Sequence, residues 1–230
     1  MPLIIIPTYN EAENIGELLS ILRRSYPEAN ILVVDDNSPD KTSERVQNTG
    51  MKHIHLLTRP QKRGLSGAYL AGFQWALERN YDPILQMDAD FSHNPKDVCR
   101  LLETLKSTDV AVGCRYIEGG STVGWSTLRR SISRGGNFYA RWILGLPYFD
   151  LTSGFNAWRR CVLEKIDLSS IRSRGYAFQV ELKYRAAQNG FRIHEIPIQF
   201  EDRRRGKSKM HGRIVWEAAF RVFQMRFVNP

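Results

Sequence analysis

The chain has 230 residues, 42% of them hydrophobic and 25% charged, with no repeat or low-complexity tract; this fits one large α/β domain with a sizeable core and excludes repeat and low-complexity architectures. The net charge of +9 is uneven: residues 1–115 hold 13 Lys and Arg against 15 Asp and Glu, net −2, and residues 116–230 hold 20 against 9, net +11, so nucleic acid, an anionic membrane face and phosphorylated small molecules are all admissible partners of the second half. No apolar run approaches the roughly eighteen residues of a spanning helix, and Pro2-Leu3-Ile4-Ile5-Ile6 carries no basic leader, so a soluble or peripheral, cytosolic protein is expected.

In chain order, the first hundred or so residues alternate strand and helix patterns, which predicts βαβ units and a mostly parallel sheet. Strands are predicted over Leu3-Ile6, Ile31-Val34, Ile54-Leu57 and Ile84-Met87, with a fifth over Val110-Cys114. Asn10-Glu11-Ala12-Glu13 is a capping-box-like start, followed by Ile15, Leu18, Leu19 and Leu22 at helical spacing. Gly64-Leu65-Ser66-Gly67 opens a helix running through Glu78, and Asn94-Pro95 caps another whose apolar face is Val98, Leu101, Leu102 and Leu105. Cys99, Cys114 and Cys161 have no metal-ligand spacing and are expected as buried thiols in a reducing compartment.

Three strand ends in this half run into polar sequence: Pro7-Thr8-Tyr9-Asn10-Glu11, Asp35-Asp36-Asn37-Ser38 and Asp88-Ala89-Asp90. Strand ends converging at the carboxyl edge of an open α/β sheet make a nucleotide pocket. Asn10 and Ser38 are equally well explained as residues that satisfy helix N–H groups. Two adjacent carboxylates at Asp35-Asp36 are more than a cap needs, and one of them has the chemistry to accept hydrogen bonds from a ribose or base edge. Asp88 and Asp90, one residue apart after an apolar run, suit a Mg²⁺ or Mn²⁺ ion held between carboxylates and a nucleotide diphosphate. There is no Gly-x-Gly-x-x-Gly after the first strand and no Gly-x-x-x-x-Gly-Lys-Ser/Thr, which disfavours a dinucleotide oxidoreductase and a P-loop NTPase.

Beyond residue 115 come Gly119-Gly120, a basic helix-like stretch from Leu128 to Leu144, Asp150-Leu151-Thr152-Ser153-Gly154-Phe155, a helix beginning near Gly175 and ending at Asn189-Gly190, and a strand over Arg192-Pro197. In Arg203-Arg204-Arg205-Gly206-Lys207-Ser208-Lys209 five of seven residues are cationic; such a run is a solvated loop, a nucleic-acid patch or a loop that folds over a diphosphate. Trp216, Phe220, Phe223 and Phe227 form a helical stripe with Arg213, Arg221 and Arg226 nearby, equally consistent with core packing and with a membrane interface.

Together these residues resemble the dolichol-phosphate mannose synthases, polyprenyl-phosphate glycosyltransferases of glycosyltransferase family 2, over essentially the whole chain. The resemblance rests on Pro7 to Glu11, Val34 to Asp40, Asp88-Ala89-Asp90, Ile132-Ser133-Arg134-Gly135, Asp150 to Phe155 and Asp202 to Lys209. It implies a GT-A fold, with a catalytic domain over 1–210 (a nucleotide-binding part at 1–115 and an acceptor-binding part at 116–210) and a C-terminal amphipathic helix at 211–230 that meets a membrane interface or a partner. It implies inverting transfer of mannose from GDP-mannose to a polyprenyl (dolichyl) phosphate at the cytosolic face of a membrane. Carried over by position, Pro7, Tyr9, Glu11, Val34 and Asp36 hold the nucleoside, Asp88, Ala89 and Asp90 the diphosphate and a Mg²⁺ or Mn²⁺ ion, and Arg115, Arg203 and Lys209 the phosphates or sugar. Arg129 and Ser133 match the acceptor-phosphate site, and Asp90, Arg129 and Ser133 are the residues expected to matter most for catalysis. Ser92 stands where some relatives carry Gln beside the metal, and the C-terminal transmembrane helices of many relatives have no counterpart here, which admits either a membrane-anchoring subunit as a partner or a chain truncated before those helices. Two alternatives stay open: another nucleotide sugar such as UDP-glucose as donor, and, more remotely, a basic nucleic-acid-binding protein using residues 116–230, although the preferred reading includes no nucleic acid.

Overall fold

The computed structural model describes residues 1–62, 64–202 and 212–227, with side chains of the last segment from Trp216 onward. In order the elements are β1 (Leu3–Thr8), α1 (Ile15–Ser25), β2 (Asn30–Asp35), α2 (Thr42–Gln47), β3 (Ile54–Thr58), α3 (Gly64–Glu78), β4 (Ile84–Gln86), α4 (Asp97–Thr104) and β5 (Val110–Cys114). They continue with β6 (Ser121–Val123), α5 (Thr127–Leu144), β7 (Asn156–Trp158), α6 (Arg160–Lys165), α7 (Gly175–Gln188), β8 (Ile193–Pro197), β9 (Gln199–Glu201) and α8 (Gly212–Phe227).

Seven strands form one sheet in the order β3-β2-β1-β4-β7-β5-β8. All neighbours are parallel except β7, which runs antiparallel between β4 and β5. The expected mostly parallel α/β sheet is therefore present, with an inserted reversed strand that the sequence reading did not predict. A second sheet pairs β6 with β9 in parallel.

The apolar strands are buried on both faces because helices cover both sides. Ile4 and Ile6 point into a layer with Leu18 and Leu22 of α1 and Val98 and Leu101 of α4. Leu3 and Ile5, displaced by one residue and hence on the other face, pack with Phe73 of α3, Trp158 of β7 and Phe178 of α7. Contact of α3 with the sheet is close at Gly72, where an added Cβ would lie 2.7 Å from Ile5 Cγ2 and 3.3 Å from Val34 Cγ2. A third cluster joins α5, α7 and α8 through Ala140, Leu144, Val180, Val222 and Met225.

Several local expectations are corrected. Asn10 does not cap α1: it lies at φ 62°, its N–H donates to Ser38 Oγ, and the helix begins only at Ile15, after Glu11 O has accepted from the N–H groups of Asn14 and Ile15. Ser38 likewise precedes α2 without capping it, its hydroxyl donating instead to Asp35. Of the cysteines only Cys114 is buried; Cys99 and Cys161 are exposed, because α4 and α6 turn those positions away from the sheet. On α8 the aromatic stripe is not core: Trp216, Phe220, Phe223 and Phe227 face outward, and Val222 and Met225 on the opposite side are the buried residues. No helix among the described residues is long and apolar enough to cross a membrane.

Candidate active site

The ends of β1, β2 and β4 meet the start of α3 around a cavity of about 300 Å³. Its wall includes Pro7, Tyr9, Glu11, Asp36, Asp88, Ala89 and Asp90, so seven residues singled out in the sequence from three separate segments come together. Lys62, Gly64 and Leu65 close the opposite side. Lys62 lies just after β3 and was not anticipated; its Nζ sits 3.4 Å above the centre of the Tyr9 ring. The signal available for it was a fourth strand end running into Pro60-Gln61-Lys62.

Adjacent carboxylates Asp35 and Asp36 have separate tasks. Asp35 is fully buried and accepts from Thr8 Oγ1 at 2.7 Å, Ser38 Oγ at 2.6 Å and Ser43 Oγ at 2.8 Å, besides the Ser38 N–H. It ties the ends of β1 and β2 to the following loop. Asp36 lines the cavity and forms an ion pair with Arg59 at 2.8 Å. Val34 is placed differently from the other nucleoside candidates: its side chain is buried in the layer beneath α3 and is absent from the cavity wall.

The Asp88-Ala89-Asp90 turn is held from three directions. Tyr69 of α3 donates its hydroxyl to Asp88 Oδ1 at 3.0 Å, and burial first, then the Asp88 charge, raises the phenol well above its ordinary pKa, so it remains a donor. The Asp88 N–H donates to His93 Nδ1 at 3.1 Å. His93 is buried, stacks on Phe155 with ring centres 4.7 Å apart, and has its pKa lowered chiefly by burial; a neutral ring accepting at Nδ1 carries its proton on Nε2. Asp90 Oδ1 accepts from both the hydroxyl and the N–H of Ser92, so Ser92 orients this carboxylate.

These residues suit a hard divalent cation. Asp88 and Asp90 are oxygen donors facing the same cavity as Glu11 and Asp36. No group of three or more His, Cys, Asp or Glu able to hold a metal occurs among the described residues.

Arg115 is not part of this wall. It is 6% exposed and forms a two-point pair with fully buried Asp150, Nε to Oδ2 and an amino group to Oδ1, both at 2.7 Å. Its second bond from that amino group reaches Thr152 Oγ1 at 2.9 Å. Burial opposes the charge on each partner, and their mutual attraction prevails, raising the guanidinium pKa and lowering that of the carboxyl group. Lys183 supports the same loop from α7, donating to Leu151 O at 3.1 Å and Ser153 O at 2.7 Å; burial brings it down to about 7.

Arg115 instead borders a second cavity, also about 300 Å³, formed by α5, α7 and α8. Its wall is largely apolar, with Ile132, Tyr139, Val180, Trp216 and Val222, and Ser133 supplies a hydroxyl. Ser133 Oγ accepts from Tyr116 OH at 2.6 Å. Arg129, one helical turn earlier, has its guanidinium 4.0 Å from the centre of the Trp125 ring and pairs with Asp202 at 2.8 Å. Phe200 lies 5.4 Å from His93, which accepts from the Asp88 N–H, and 5.4 Å from Trp125 in the wall of the apolar cavity. Arg203 and Lys209 lie outside the described residues.

A parallel sheet with one reversed strand, an Asp-x-Asp turn at its carboxyl edge and an acidic cavity beside it define a glycosyltransferase of the GT-A fold. The chain belongs to glycosyl transferase family 2, whose sequence profile matches residues 3–167. It is 47% identical to an undecaprenyl-phosphate mannosyltransferase of Micrococcus luteus over 222 residues, covering 96% of this chain and 91% of that one. A polyprenol monophosphomannose synthase of Mycolicibacterium smegmatis is 45% identical, with 96% and 84% covered, and a dolichol-phosphate mannosyltransferase of Pyrococcus furiosus 35% identical, with 96% and 62% covered. Among solved structures, glucosyl-3-phosphoglycerate synthase of Mycobacterium tuberculosis shares the fold at a TM-score of 0.73 and 16% identity, covering 100% of this chain and 81% of that one.

Proposed function

We propose that the protein transfers mannose from GDP-mannose to a polyprenyl (dolichyl) phosphate, with inversion and with a divalent cation, to give a β-linked polyprenyl phosphate mannose. The observation that carries this reading is the juxtaposition of the carboxylate-lined cavity with an apolar cavity edged by Ser133 and the Arg129 helix. The names of relatives 45–47% identical to the chain support the same acceptor and sugar. A mannosyltransferase from Pyrobaculum calidifontis, 17% identical and superimposing at a TM-score of 0.59 with 96% of this chain and 69% of that chain covered, was solved with GDP-Man and Mn²⁺.

In this mechanism Pro7, Tyr9, Glu11 and Asp36 bind the nucleoside, while Asp88 and Asp90 hold Mg²⁺ or Mn²⁺. Such an ion supplies neutralisation of the departing diphosphate. Arg203 and Lys209 act on the same phosphates, and Arg129 with Ser133 orients the acceptor phosphate behind the anomeric carbon. A phosphate monoester carries about −1.5 to −2 charge at neutral pH, its second pKa being about 6. It arrives as a competent nucleophile, so the work of these residues is alignment and charge stabilisation rather than proton removal. The prenyl chain lies along the apolar cavity and leaves past Trp216. Outward aromatics on α5 and α8, Phe138, Trp142, Trp216 and Phe220, with Arg134, Arg141 and Arg221 near them, support peripheral attachment to the cytosolic face of a membrane, directly or beside an anchoring subunit.

Incubation with radiolabelled GDP-mannose, a short polyprenyl phosphate and Mg²⁺ or Mn²⁺, with and without chelator, tests the reading. Label entering the lipid phase only when metal is present is the expected result. Transfer from UDP-glucose in preference to GDP-mannose would replace the donor, and failure with every nucleotide sugar by folded protein on acceptor-containing vesicles would overturn the assignment.

A further inference from the structure

A third cavity is used by neither substrate in this mechanism. It measures about 410 Å³, lies between α7, α8 and the segment around Ser170–Ser173, and shares no wall residue with the other two. Its lining carries three guanidinium groups, Arg172, Arg185 and Arg221, against one carboxylate, Glu181.

A hydrogen-bond accounting shows what remains available. Both oxygens of Glu181 are engaged, one with Arg185 at 2.7 Å and the other with the Ser173 N–H at 3.0 Å. Arg185 is also consumed, its amino groups bonding Ser170 and Asp167 in addition to Glu181. Arg221 uses one amino group on Gln224 at 2.7 Å, and Arg172 has no ionic partner among the described residues. Ser173 is 4% exposed, yet its Oγ has no hydrogen-bond partner among the described residues. A buried hydroxyl without a partner is destabilising, and this one belongs to the wall that also carries exposed Arg172 and half-buried Arg221. The complement of two guanidinium forks and one hydroxyl is a tetrahedral oxyanion.

We propose that this cavity binds a phosphate ester at a site separate from donor and acceptor, recognised by Arg172, Arg221 and Ser173 Oγ. Its volume exceeds that of a bare phosphate, leaving room for the esterified group, and Met225 provides an apolar wall on the side of α8. The ester comes either from a soluble metabolite or from a lipid headgroup whose chains follow the exposed face of α8 past Phe223. The site does not depend on the mannosyl-transfer reading, because its test measures binding alone.

The test uses the full chain with Mg²⁺ and saturating GDP and UDP together, so that the carboxylate cavity is filled whichever nucleotide it takes. sn-Glycerol 3-phosphate is titrated calorimetrically, and phosphatidylcholine vesicles with or without phosphatidylglycerol are used in flotation. Binding of one probe is expected, weakened at least tenfold in Arg172→Ala/Arg221→Ala and several-fold in Ser173→Ala, which changes no charge. Arg226→Ala, removing a cation from the same helix outside the cavity, is expected to leave binding within twofold. Glycerol phosphate binding marks a soluble ligand, and binding only to phosphatidylglycerol vesicles marks a headgroup. Equal binding by wild type and Ser173→Ala, an Arg226→Ala loss matching the double variant, or no binding of either probe would overturn the proposal. An unchanged thermal unfolding midpoint verifies folding of each variant.

Discussion

The carboxylate cavity and the apolar cavity are built by opposite means. The first is made of short turns at strand ends, where Tyr69 and Ser92 donate to Asp88 and Asp90, His93 accepts from the Asp88 N–H, and Asp35 accepts from the Ser38 hydroxyl. The second is made by helices packing, and its polar groups reach it through long-range pairs such as Arg115–Asp150 and Asn137–Thr152. A leaving diphosphate needs a rigid, charge-matched seat, whereas a flexible prenyl chain needs apolar area and one anchored anion. Net charges of −2 and +11 in the two halves of the sequence follow the same division.

The sharpest way to break this contrast is Asp90→Ala. Transfer should fall by at least about a thousandfold, ~4 kcal/mol of transition-state stabilisation, while binding of polyprenyl phosphate vesicles stays unchanged; steady-state kinetics and flotation read the two. Asp150→Ala acts on the other side by leaving the Arg115 charge buried without its carboxylate, and should cost about 3 kcal/mol of stability, measured by urea unfolding. Arg129→Ala should raise KM for the polyprenyl phosphate about tenfold, ~1.4 kcal/mol, with the GDP-mannose KM within twofold. Equal changes in both constants would show that the cavities are not functionally separate.

The remaining effect concerns pH. Lys183 is lowered by burial to about 7, against roughly 10.4 for an unfolded lysine. Between these values the unfolded chain holds a proton that the folded one lacks, so this group makes stability rise with pH across that window and fall as pH drops toward 7. A neutral amine has two N–H donors for the two carbonyls of Leu151 and Ser153. In Lys183→Met the rise should disappear, which denaturant midpoints at pH 7 and pH 9 would register as a smaller difference than in wild type.

Most of the donor-side architecture was legible in the sequence because it is local. Five apolar runs mark β1 to β5, and each polar motif follows its strand directly, so convergence of strand ends places them together. What escaped depends on contacts distant in sequence or on backbone direction. β7 has only three residues, begins with Asn, and is a strand because β4 and β5 hold it on both sides; β6 and β9 exist only as each other's partners. Nothing in the pair Asp35-Asp36 says which carboxylate turns inward. Arg115 was given to the phosphates or sugar by family resemblance, and its buried partner Asp150 lies 35 residues away, out of reach of any local pattern; Lys62 follows a fourth strand end but, as a lone lysine, adds no motif of its own. The outward stripe on α8 was visible as periodicity, but only its packing against α5 and α7 decides which face is buried.

The reversed strand β7 has an engineering consequence. Residues 156–158 from the arginine-rich half lie in the middle of a sheet whose other central strands come from the acidic half. Exchanging acceptor halves with a relative at residue 115 therefore transplants a central strand along with the new surface. Such a chimaera succeeds only when the incoming Asn156, whose amide bonds both Gln86 of β4 and Gln179 of α7, finds the same two partners, so the practical crossover unit is the strand with its glutamines rather than the half-chain.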